Sequence, residues 1–172
     1  GRELAVDRAS FDVSVRYPVI SGQWSYQAAR REARRTLGPR FFELDHATRE
    51  RLIAEHRIPL DQQVAQMWDA LAAAGGLPRE ALEERKATVI RKVQAVVADV
   101  LMRRMEQHHQ DYDEPATLAH IRQPVAEQTA PHALLTAVTD EGRLYIEKMV
   151  ARAQAADLRT QPELAVWRQV SI

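Results

Sequence analysis

From Pro78 to about His109 the chain carries no helix breaker. Across that span Leu82, Val89, Ile90, Val93, Val96, Val97, Val100, Leu101 and Met105 return at the three- and four-residue spacing of one helical face. Pro78 suits a first turn, and a helix of this span is about 45 Å long at 1.5 Å per residue. The apolar arc covers about half the circumference, wider than the seam of a two-stranded coiled coil, so neighbours are expected on two sides of it. One rod of that length dictates the rest: the remaining elements are expected to pack around it as a spine. Lys86 and Arg104 lie inside the arc near its two ends, where long side chains can snorkel to water.

Helix and turn signals dominate elsewhere. A helix is expected from Gln23 to Leu37, stopped by Gly38-Pro39. Asp45 can cap a second to about Glu55, ending before Pro59. Asp61 can cap a third carrying Val64, Met67, Trp68 and Leu71, closed by Gly75-Gly76. Prolines 115, 124 and 131 break the next stretch around a short helix over 116–122, and another short helix is expected over 132–138. Thr139 or Asp140 caps a helix to about Leu158. Thr160-Gln161-Pro162-Glu163 reads as a capping box that launches a last helix through Leu164 and Trp167. Only Phe11, Val13, Val15 and Tyr17, alternating with Asp12, Ser14 and Arg16, have the period of a strand. No second segment alternates as clearly. The strand is therefore expected to pair across a dimer, to pair with sequence outside the chain, or to lie as an arm on the helices. The expected fold is all-α, an irregular bundle of about six or seven helices around one long central helix. An extended strand-like N-terminal arm over 1–20 precedes a helical domain over 21–172.

Composition narrows the chemistry. A chain of 172 residues without cysteine can build a core unaided, and it excludes disulfides, thiol nucleophiles and Cys-based metal sites. No apolar run has the length of a membrane span, which favours a soluble and cytoplasmic protein. Lys and Arg together number 24, as do Asp and Glu. That balance argues against a chain that coats polyanions wholesale, so nucleic-acid binding would need a local patch. All but three of the cations (Lys86, Lys92 and Lys148) are arginine, a bias that lessens the meaning of any single arginine. The chain opens at Gly1-Arg2 and stops at Ser171-Ile172, which leads to the expectation of a piece of a larger bacterial or phage protein.

One patch stands out. Arg30, Arg31, Arg34 and Arg35 share an arc beside the apolar stripe of the first helix, with Glu32 alone among them. Arg40 follows, with Trp24, Tyr26, Phe41 and Phe42 nearby for stacking. Such a face suits nucleic-acid phosphates or an acidic partner. The opposing reading is a solvated face paired to carboxylates, among them the acidic run Glu106, Asp111, Asp113 and Glu114. Glu106 and His109 form the E-x-x-H pair of carboxylate-bridged metal bundles, and Glu43 and His46 repeat the spacing. No clean pair of further buried glutamates completes either. No G-x-S-x-G elbow, P-loop, G-x-G-x-x-G or H-E-x-x-H is present. Trp24, Trp68 and Trp167 read as anchors of helix contacts, with Trp167 best placed to mark an interface.

The leading expectation is a non-catalytic helical interaction module that binds a protein partner or itself as a homo-oligomer, with no cofactor. Its interface would use Trp167, Phe11, Val13 and Val15. The first alternative is a nucleic-acid-binding helical domain using Arg30, Arg31, Arg34, Arg35 and Arg40. The second is a carboxylate/His metal-binding bundle enzyme using Glu106 and His109.

Overall fold

The computed structural model describes residues 11–107 and 115–172. It is mostly helical with a small three-stranded sheet. Strand β1 (Val13–Arg16) runs directly into the one-turn helix α1 (Tyr17–Ile20) and is followed by α2 (Gln23–Leu37) and the one-turn α3 (Arg40–Glu43). Two long helices come next, α4 (His46–Ala74) and α5 (Arg79–Gln107), then α6 (Pro115–Ile121), β2 (Pro131–Leu135) and α7 (Asp140–Ala155). A 3-10 helix (Pro162–Gln169) leads into β3 (Val170–Ser171).

The strand that reads as unpartnered is the centre of the sheet. The order is β2-β1-β3, both pairs antiparallel, with Val15 opposite His132 on one side and Val170 on the other. This corrects two helix expectations. Residues 131–135 form a strand because a run of five residues opened by proline is too short to nucleate a helix alone, and β1 offers it a ladder. The capping box before the last segment does not form: the Thr160 hydroxyl donates to the Asp157 carbonyl, and the segment winds as a 3-10 helix that straightens into β3.

The spine is α4, not α5. Expected as two helices separated at Pro59, residues 46–74 form one rod capped by the Asp45 carboxylate, which accepts from the Thr48 N–H at 2.9 Å. An interior proline costs about 3 kcal/mol, but Ile58 and Pro59 face solvent, so the freed carbonyl can bond water. The return is large, since α4 buries Ile53, Met67, Trp68, Leu71 and Ala72, and Leu60 packs against both hydrophobic clusters of the molecule. The smaller cluster joins Ala29, Ala33, Phe41 and Ile53; the larger joins the sheet, α4, α7 and the 3-10 helix.

Helix α5 buries only Leu82 and Val93. Its first half packs on the main core through Leu82, Val89 and Ile90, while Val96 is exposed beyond it. Its two charged arc residues are engaged rather than snorkelling. Lys86 Nζ lies 4.5 Å from the Trp68 ring centroid and donates to Glu83. Arg104 donates to the carbonyls of Gln123, His120 and Ile121, the last two at the end of α6. Among the described residues no helix is long and apolar enough to cross a membrane.

Candidate functional site

Two surface features combine apolar and polar groups in a built arrangement. The first lies between α7 and β3. Helix α7 begins where the Thr139 hydroxyl accepts the Gly142 N–H, and Gly142 sits so close to α4 that an added Cβ would overlap the Ala74 carbonyl. That approach fixes the start of α7. Its end is fixed by Arg168, which donates from Nε to the Ala153 carbonyl at 2.8 Å and from Nη2 to the Ala156 carbonyl at 2.9 Å. A guanidinium at helix C-terminal carbonyls satisfies orphan acceptors and complements the negative pole. The same bonds tie the 3-10 helix, and so β3, to α7.

The space between them is an open groove of about 450 Å³. Phe11, Val150, Ala151, Val170 and Ile172 supply its apolar lining, and Glu147, Gln154 and Ser171 its polar groups. Phe11 is held by the Arg143 guanidinium stacked 4.1 Å from its ring centroid, while its carbonyl accepts the Val138 N–H. The carboxylate of Glu147 is 3.7 Å from Arg143 Nε, a loose pairing that leaves it accessible. Strand β3 pairs with β1 alone, and its other edge has no ladder partner among the described residues. A second open groove, of about 410 Å³, has α4 alanines 70, 73 and 74 on one side and Tyr145 of α7 on the other.

The basic corner of α2 and α3 is the second feature. Arg30, Arg31, Arg34, Arg35 and Arg40 are all exposed. Arg35 is held by Glu32, donating from Nε at 3.0 Å, and this hydrogen bond pulls the Glu32 carboxyl below its ordinary range. Arg34 lies 5.0 Å from the ring centroid of Phe42. Arg30–Arg34, Arg31–Arg34 and Arg31–Arg35 are like-charge neighbours at helical spacing, each unfavourable by roughly 0.2–0.5 kcal/mol in an isolated helix.

Other expected site residues fall elsewhere. Val13 and Val15 are 0 % exposed and Trp167 is 5 % exposed, so their apolar surface is spent inside the main core. Of the four residues expected at an interface, Phe11 alone reaches a surface groove. Glu106 is exposed on the last turn of α5, and its expected partner His109 lies outside the described residues, as do Asp111, Asp113 and Glu114 of the acidic run. Glu43 and His46 are both exposed, and no group of three or more His, Asp or Glu able to hold a metal occurs among the described residues. Sequence reasoning missed Glu147, Val150, Ala151, Val170 and Ile172, because a groove between two distant elements leaves no local pattern. No family model matches the chain, and comparisons with curated proteins and with solved structures found no match either.

Proposed function

We propose that this chain is a non-catalytic interaction module that takes an extended apolar segment of a partner protein into the groove between α7 and β3. The observation that carries the reading is the coincidence of a ladder-free strand edge with an apolar trough of peptide dimensions beside it. Strand addition supplies affinity through main-chain hydrogen bonds, and side-chain pockets supply selectivity. The trough lies within the range of roughly 300–1,000 Å³ usual for ligand sites. Glu147 on its wall favours a segment with a basic residue beside its apolar ones. The ladder along β3 is only Val170 and Ser171 for any occupant, so a partner segment is favoured over a second copy by the apolar side chains it can lay in the trough.

Selection of displayed random peptides against the full chain tests this, run in parallel against Ala151→Trp, whose exposed indole fills the trough. The reading predicts an enriched apolar sequence with one Lys or Arg that binds the wild type and loses at least tenfold in affinity to the variant. Enrichment that is equal for both proteins, or none for either, contradicts it.

A further inference from the structure

We propose that the corner formed by α2 and α3 is a binding site for single-stranded nucleic acid, separate from the α7–β3 groove. Many arginines elsewhere in this chain have a partner within the fold. Arg16, Arg85, Arg104 and Arg168 donate to backbone carbonyls. Arg57, Arg79, Arg103 and Arg143 pair with carboxylates. Arg49, Arg51, Arg91, Arg122, Arg152 and Arg159 have neither kind of partner among the described residues, and α2 and α3 differ in gathering several such guanidinium groups in one short stretch. Arg30, Arg31 and Arg40 have neither an acidic nor a carbonyl partner among the described residues, and Arg34 has only an aromatic ring. Across α2 and α3 the acids are Glu32, which Arg35 occupies, and the exposed Glu43 that ends α3.

The aromatic is what selects the ligand class. Phe42 is 60 % exposed, yet it is not loose. Its ring meets Phe41 edge-on at 5.7 Å, and Phe41 is 2 % exposed in the smaller core cluster. A fixed, protruding ring beside guanidinium groups is the pairing used to stack an unpaired base while cations hold the adjoining phosphates. In a duplex the base faces are already stacked and the ring has nothing to receive. An acidic peptide would satisfy the arginines but leave Phe42 unused. With the chain neutral overall, attraction must come from this corner, so removing it should remove binding.

The test is fluorescence anisotropy of labelled oligothymidylate with the full chain, titrated across salt concentrations. Contact with three or four phosphates predicts a slope of log K against log salt of about −2 to −3, at roughly −0.7 per phosphate. The double variant Arg31→Gln/Arg34→Gln should flatten that slope by about 1.4, and Phe42→Ala should weaken binding about tenfold with the slope little changed. These side chains are exposed, and circular dichroism of each variant checks that the fold is kept. Absence of saturable binding at low salt overturns the proposal, as does a double variant that binds like the wild type. Polyglutamate competing as well as the oligonucleotide, or a duplex binding as tightly with no effect of Phe42→Ala, also overturns it.

Discussion

Arginine does three kinds of work in this chain, and the neighbour of each guanidinium decides which. At Arg104 and Arg168 it closes helix ends by donating to orphan carbonyls. At Arg79 it bonds to Asp69 across the turn between α4 and α5 and to Glu83 one turn along α5. Burial opposes the charge of the Glu83 carboxyl, yet it sits below its ordinary range, because the hydrogen bonds and positive charges of Lys86 and Arg79 together outweigh that burial. On α2 the arginines are set against one another instead. That arrangement predicts a residue-level gain from losing charge: Arg31→Gln removes its like-charge contacts with Arg34 and Arg35 at almost no change in helix propensity. The free protein should be stabilised by about half a kcal/mol, raising Tm by about 1–2 °C at low salt. The gain should shrink at high salt as the repulsion is screened. Thermal unfolding at two ionic strengths checks this; a lower Tm for the variant at low salt would mean that Arg31 has a stabilising partner in the fold.

At the scale of elements, legibility followed the strength of local signals. Helix α2 runs from Gln23 to Leu37 as its periodicity and the Gly38 stop require, and Gly38 takes the positive φ that glycine permits. The caps at Asp45 and Thr139 were equally readable. What failed was decided by distant partners. Pro59 is a breaker in isolation, but in the fold it lies on the wet side of a rod that links both clusters. Strands β2 and β3 are too short to show a period, and only β1 makes them strands. Gly142 shows the same logic at one position. In an exposed helix Gly→Ala stabilises by roughly 1 kcal/mol, whereas here the Cβ would meet the Ala74 backbone. Gly142→Ala should therefore destabilise by about 1–3 kcal/mol. Chemical denaturation gives the sign directly, and a stabilised variant would refute the close packing of α4 on α7.

For the whole molecule, the two surface features occupy different parts of the fold and rest on different cores. The basic corner stands on the small cluster of Ala29, Ala33, Phe41 and Ile53, and its arginines were visible in the sequence as a run. The groove stands on the main core, and of its lining only Phe11 could be picked out beforehand, through the alternation of β1. Val13, Val15 and Trp167, equally apolar in sequence, turn inward because β1 is a central strand rather than an arm. Whether a partner segment lies along β3 against α7 is tested most directly by amide chemical-shift mapping of the full chain on addition of a selected peptide. Shifts are expected to concentrate at Phe11, Glu147, Val150, Ala151, Val170 and Ile172, with α2 and α3 unmoved. Shifts centred on the α2–α3 corner or on the distal half of α5, with these residues silent, would contradict it.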